Sequence, residues 1–133
     1  MAELKALIFD VDGTLAETER DGHRPAFNQA FLDNKLDWNW SVERYGELLE
    51  VSGGKERMRA FVQQSKPNFV LPERFEDLTA FIKHLHAAKT QYYKQFAQEG
   101  RIPLRPGVER LLNEAREKGI RLAIATTTTP ANV

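Results

Sequence analysis

A short apolar run, Ala6-Leu7-Ile8-Phe9, that stops abruptly at Asp10-Val11-Asp12-Gly13-Thr14 restricts the fold of this chain more than any other feature. An uninterrupted apolar stretch bounded by turn residues reads as a strand buried on both faces, the habit of strands inside parallel sheets. Residues 121–126, Arg-Leu-Ala-Ile-Ala-Thr, read the same way. Between the two runs, apolar residues recur at helical spacing. Phe27, Ala30 and Phe31 form one set; Val42, Tyr45, Leu48 and Leu49 follow behind an N-capping Ser41. Met58, Phe61 and Val62 mark a helix opened by Gly53-Gly54, and a longer stripe runs from Phe75 and Leu78 through Ile82, Leu85 and Tyr92 to Phe96, closed by Gly100. Pro106-Gly107 starts a last helix, with Val108, Leu111, Leu112 and Ala115 inward and Gly119 as its stop. Strand, helical insert, helix, strand is an α/β order. Pro103 and Pro106 interrupt the spacing, which puts domain seams near residues 16 and 100.

Ligands of open α/β sheets bind beyond the carboxyl ends of strands, and both runs end there in polar residues. Asp10 and Asp12 leave the first strand together, so one carboxylate can attack phosphorus while the other handles protons. Gly13 permits the turn. A hard magnesium ion would offset the facing negative charges. The second run ends in Ala125-Thr126-Thr127, whose hydroxyl and N–H groups lie one strand spacing away, roughly 5 Å. Thr126 is thereby placed to hold the phosphoryl group that Asp10 attacks. The plain alternative is a strand followed by an ordinary Asp/Gly turn; two such motifs, in order and on the right elements, favour chemistry.

Composition narrows the partners. Lys plus Arg and Asp plus Glu both number 19, so the net charge is zero and nothing points to a nucleic acid or a membrane surface. The absence of cysteine removes disulfides, zinc–thiolate sites and thiol catalysis. No apolar run approaches the ~20 residues of a membrane span, and Leu4–Phe9 is too short for a signal peptide. The expectation is a soluble protein of the cytoplasm, or of the plastid stroma if the source is a plant.

An apolar strand ending in Asp-x-Asp-Gly-Thr, a helical insert, then an apolar strand ending in Thr resembles the haloacid dehalogenase superfamily of phosphohydrolases. The resemblance implies an α/β fold: a Rossmann-like three-layer core, partly supplied by residues 1–15 and 98–133, with an α-helical cap of residues 16–97 inserted after the first strand. It implies that Asp10 becomes a transient aspartyl phosphate and that Asp12 is the general acid/base. Asp10 and Asp12 would hold magnesium, Asp12 through its backbone carbonyl. Thr126 takes the second-motif hydroxyl, with Thr127 beside it on the substrate. Leu15-Ala16-Glu17-Thr18-Glu19, His23-Arg24, Trp38-Asn39-Trp40, Ser52-Gly53-Gly54-Lys55-Glu56-Arg57 and the closing Thr-Thr-Thr-Thr-Pro-Ala-Asn-Val resemble the CbbY-like subgroup. Its members include phosphatases that act on xylulose bisphosphate.

The implied activity is magnesium-dependent hydrolysis of a phosphomonoester on a small sugar phosphate. A phosphosugar mutase of the same superfamily and an inactive binding or assembly fragment are the alternatives. The third-motif Lys and fourth-motif acidic pair of the superfamily lie downstream of what Val133 reaches. The expected partner is therefore the C-terminal half of the core, in the same or another chain.

Within the cap, Glu17 and His23 lie just past the first motif, where a cap must hinge over substrate. Glu17 is a candidate contact by its loop position. The His23 ring could donate to a sugar hydroxyl or phosphate, or could simply begin a helix. Lys55 and Arg57 flank a glycine turn at a helix start, a natural place for a second phosphate; the bland reading is a helix boundary with solvated charges. Trp38 and Trp40 read as cap core. Tyr92 and Tyr93 read as core or rim. His84 and His86, two residues apart on one helix, do not share a face and make a poor metal pair.

Overall fold

The two apolar runs pair with each other. In the computed structural model, which describes residues 2–126, strand β1 (Ala6–Phe9) lies parallel to β2 (Arg121–Ile124), Ala6 opposite Arg121 and Phe9 opposite Ile124. Parallel pairing demands a crossover, and everything between the strands supplies it. A π-helical turn at Glu19–His23 runs directly into α1 (Arg24–Asp33). Helices α2 (Val42–Leu48), α3 (Gly54–Ser65) and α4 (Leu78–Gln98) complete the cap, and α5 (Val108–Glu117) leads back to β2. The α/β order expected from the sequence is the order observed.

Local chemistry sets the helix ends. Ser41 caps α2 by accepting the Arg44 N–H at 3.0 Å. Asp77 caps α4 by accepting the Ala80 N–H at 2.8 Å. That second cap starts α4 at Leu78, so Phe75 precedes the helix instead of opening it and packs edge-on against Phe81, 4.9 Å between centroids.

The cap closes around aromatic rings. Phe27, Phe31, Trp40, Tyr45 and Phe81 are all at most 2% exposed, with Trp38 and Phe61 packed beside them. Phe31 meets Trp40 edge-on at 4.9 Å, and Trp38 meets Phe61 at 5.4 Å. Burial of each such side chain contributes about 1.5–3 kcal/mol.

The sheet departs from expectation. Both-face burial is not observed: Ile8 is 71% exposed, Ile124 53% and Leu122 37%. Two strands form only a ribbon, and α5, which packs on β2, buries Ala115 alone. Leu111, expected inward, is 45% exposed on the open side of α5.

The chain passes between sheet and cap at two places that touch each other. Ala16 forms an antiparallel bridge with Leu104, and the Arg105 N–H donates to the Leu15 carbonyl at 2.8 Å.

Candidate active site

Beyond Phe9 the chain turns back tightly. The Thr14 and Leu15 N–H groups donate to the Val11 carbonyl at 3.1 and 3.0 Å, and Gly13 takes φ +77°, a left-handed conformation that suits a residue without Cβ. Asp10 stands exposed at the strand end, its carboxylate accepting from Thr14 Oγ1 at 3.2 Å. The Ala125 N–H donates to the Phe9 carbonyl at 2.8 Å, which extends the pairing one step and brings Thr126 to the neighbouring strand end. The sequence-predicted pair, Asp10 and Thr126, therefore shares one edge of the sheet. Thr127 lies outside the described residues.

Asp12 turns the other way, into the cap. Its carboxylate accepts from Thr18 Oγ1 and sits 3.3 Å from His23 Nε2. The His23 hydrogen bond, followed by that of Thr18, holds the Asp12 carboxyl below the usual carboxylate range against the opposing pull of burial. His23 is 5% exposed and lies flat on Tyr93, ring centroids 4.1 Å apart and planes 4° from parallel. Its Nδ1 is 2.9 Å from Lys89 Nζ. Burial draws the Lys89 pKa down to about 8, while the Glu19 carboxylate resists. An ammonium can only donate, so Nδ1 accepts from it, leaving Nε2 to donate to Asp12. A hydrogen-bonded line thus runs from the middle of α4 to the second carboxylate of the strand-end motif.

The π-helical turn assembles this line. A wide turn of this kind re-aims side chains, and such turns recur at functional sites. Gly22 lets it approach α4: a Cβ there would lie 2.6 Å from Ile102 and 2.9 Å from Tyr93. Glu19, at the start of the turn, accepts from the Tyr45 hydroxyl at 2.6 Å.

The remaining predicted residues are dispersed. Glu17 is half-buried, 3.4 Å from Arg105 Nε. Lys55 is exposed in the first turn of α3. Arg57 is 8% exposed, and its guanidinium donates to the Leu48 carbonyl, the Val51 carbonyl and the Tyr45 hydroxyl at 3.1, 3.1 and 3.3 Å. The sequence offers His23 as a substrate contact; in the structure its ring nitrogens meet Asp12 and Lys89. The sequence pattern assigns no role to Lys89, and none to Thr18 beyond its place in the motif at 15–19. The signal for Lys89 was there: with Ile82, Leu85, Tyr93 and Phe96 it completes the buried stripe of α4, where a lysine is rare without a partner.

One cluster and one lone carboxylate could hold a cation. Asp12, Glu19 and His23 present ligand atoms within 4.8 Å of one another. Those atoms already meet Thr18, Tyr45 and, through the imidazole, the Lys89 ammonium. Asp10, exposed beside the turn and with no imidazole next to it, is the more accessible donor and fits magnesium better.

The family model described as haloacid dehalogenase-like hydrolase matches residues 4–133. Protein CbbY of Rhodobacter capsulatus is 52% identical over 133 residues, covering 98% of this chain and 54% of that protein. A CBBY-like protein of Arabidopsis thaliana is 40% identical over 122 residues, covering 92% of this chain and 38% of that protein. The crystal structure of a mutant CbbY from Rhodobacter sphaeroides in complex with xylulose-(1,5)-bisphosphate matches with a TM-score of 0.80 at 45% identity, over 98% of this chain and 54% of that one. The chain spans about half the length of the curated relatives it matches.

Proposed function

The chain belongs to the haloacid dehalogenase-like hydrolase family, and from that premise we propose that it carries the nucleophile and the cap of a magnesium-dependent phosphatase acting on a sugar bisphosphate of the xylulose bisphosphate type. The observation that carries this reading is the division between two carboxylates on one strand end. Asp10 is exposed and accepts one hydrogen bond; Asp12 is half-buried and oriented by Thr18 and His23.

In this reading an Asp10 oxygen attacks phosphorus, and the bond from phosphorus to the sugar oxygen breaks. The leaving oxygen takes a proton from Asp12. A phosphate dianion beside Asp12 favours its protonated form, opposing His23. Once the sugar departs, the carboxylate form preferred in the free protein takes a proton from the water that releases phosphate from Asp10. Thr126 holds the phosphoryl group. The Asp10 carboxylate and the Asp12 backbone carbonyl would hold magnesium, which supplies charge neutralisation at the phosphate.

Glu17, Thr127 and Lys55 are the proposed substrate contacts, Lys55 for the remote phosphate near the start of α3. His23 acts on substrate through Asp12, and Arg57 holds the loop before α3 in place. The core is assigned to residues 1–15 and 98–133 and the cap to 16–97. The downstream half of a core like those of the relatives, in the same or another chain, is the proposed partner. A cytoplasmic or stromal site of action belongs to the same proposal; among the described residues no helix is long and apolar enough to cross a membrane.

The test uses the full natural chain with xylulose bisphosphate and magnesium. Asp10→Asn should lower phosphate release by at least about 10³-fold and leave no trappable phosphoenzyme, because an amide is a very poor nucleophile. Phosphoenzyme in that variant overturns the nucleophile assignment. Return of the phosphoryl group to sugar by the wild type overturns the phosphatase reading in favour of a mutase.

A further inference from the structure

We propose that Arg105 is a positioning residue: it fixes the Asp10–Gly13 loop to the point where the chain re-enters the core, and through Glu17 it ties that loop to the first turn of the cap. The inference rests on the phosphatase reading only in what the loop is for; the contacts themselves do not depend on it.

Three interactions of one residue meet at the junction. Arg105 NH1 donates to the Gly13 carbonyl at 2.7 Å. Its Nε lies 3.4 Å from Glu17 Oε1. Its backbone N–H donates to the Leu15 carbonyl at 2.8 Å, while the Gly13 N–H donates to the Ala16 carbonyl at 2.8 Å. The Gly13 carbonyl belongs to the peptide that joins Gly13 to Thr14, so its direction sets the plane of the peptide leading from the residue after Asp12 to the residue that donates to Asp10. A guanidinium presents its N–H groups as a rigid fork, and here two of them face two different segments. A lysine has three donors but on one nitrogen, without the planar fork that reaches both segments from two separate nitrogens.

The two arms are unequal. The Gly13 bond is short and made by a charged donor, the stronger class of hydrogen bond. The Glu17 pair is longer, with side chains 48% and 36% exposed, and pairs of that kind hold weakly. Any movement of the cap relative to the strand ends passes through the bridged crossings at Ala16 and Leu104. The weak arm is the one on the cap side, so the cap can shift while the Gly13 bond keeps the loop in register.

The experiment compares Arg105→Ala, Arg105→Lys and Glu17→Gln with the full natural chain, using amide hydrogen exchange without substrate and separate kcat and KM values with a sugar bisphosphate and magnesium. Arg110→Ala, on the exposed face of α5, is the control. For Arg105→Ala we expect exchange at Gly13 and Arg105 to quicken roughly tenfold, the size of one charged hydrogen bond lost. Turnover should fall about tenfold or more through misplacement of the loop, with KM within about twofold. Arg105→Lys should give an intermediate effect on both. Glu17→Gln should leave exchange at Gly13 as in the wild type. Wild-type exchange at Gly13 in both Arg105 variants overturns the proposal. So does a rise in KM at constant kcat, which would make Arg105 a substrate contact. Because exchange is read without substrate, a protein inactive on sugar phosphates still reports on the loop, and failure of the phosphatase reading is distinguishable from failure of this one.

Discussion

The cap and the core portion of this chain handle apolar residues in opposite ways. Among the described residues, every large side chain at most 2% exposed, from Phe27 to Leu85, lies in the cap, where Phe27 meets Trp40, Phe31 meets Trp38 and Trp40 meets Phe61 at 4.9–5.4 Å. The strands, the most apolar stretches of the sequence, leave Ile8, Leu122 and Ile124 open to solvent. The proposed chemistry runs against this grain: Asp10, Thr126 and the Gly13 turn sit on the thinly packed part. In that proposal, stability and reactivity are supplied by different regions. The line from Lys89 through His23 to Asp12 is where the packed region reaches across and orders the other.

The largest test of this contrast is in the cap core. Trp40 is fully buried between Phe27, Phe31 and Phe61. Trp40→Ala should cost about 3–5 kcal/mol of cap stability by chemical denaturation. Trp40→Phe should cost far less, because among the described residues Trp40 Nε1 is the buried side-chain nitrogen or oxygen that has no hydrogen-bond partner, and phenylalanine discards that unpaired donor along with the second ring. If Trp40→Ala costs no more than an exposed substitution, the cap is not the stabilising unit.

The same contrast explains what could be read from the sequence. Element order, the Ser41 cap and the strand-end placement of Asp10 and Thr126 were legible, because local spacing and turn chemistry decide them. Strand burial was misjudged, since an apolar run states what a strand can bury and not what is present to cover it. The Asp12–His23–Lys89 line was missed for another reason: its members lie far apart in sequence and meet only because Gly22 lets the π-helical turn close on Tyr93. Arg57 illustrates the converse. A basic residue at a glycine-opened helix suggested phosphate, yet tertiary folding turned it inward onto the Leu48 and Val51 carbonyls.

A smaller test concerns acid. His86 is half-buried against Gly54, and burial, then the charges of Lys89 and Lys55, lower its pKa from 6.5 to about 4; Glu56 opposes and His23 adds slightly. Below pH 6.5 the unfolded chain takes up a proton that the folded chain refuses until about pH 4. The unfolded state then binds more protons, so stability present above pH 6.5 is lost as pH falls toward 4. His86→Gln should retain about 2–5 °C more of its Tm than the wild type between pH 7 and pH 4.5. Equal losses in both proteins would mean that acid sensitivity resides in groups other than His86.

The smallest expected effect belongs to the sheet, and its value is that it should depend on context. Ile8 is 71% exposed on β1. Ile8→Thr keeps the branched Cβ and the preference for extended backbone, so burial is the main property it changes. In residues 1–133 alone the change should lie within about 0.5 kcal/mol, as at any exposed site. Once these residues are joined by the downstream half of a core proposed as their partner, the same position would be covered, and the substitution should cost roughly 1–3 kcal/mol. Denaturation midpoints of the two pairs decide it. A large cost in the short chain would mean that the ribbon is already packed and the contrast between the regions is false. A negligible cost in both would mean that what covers the sheet does so on its other face.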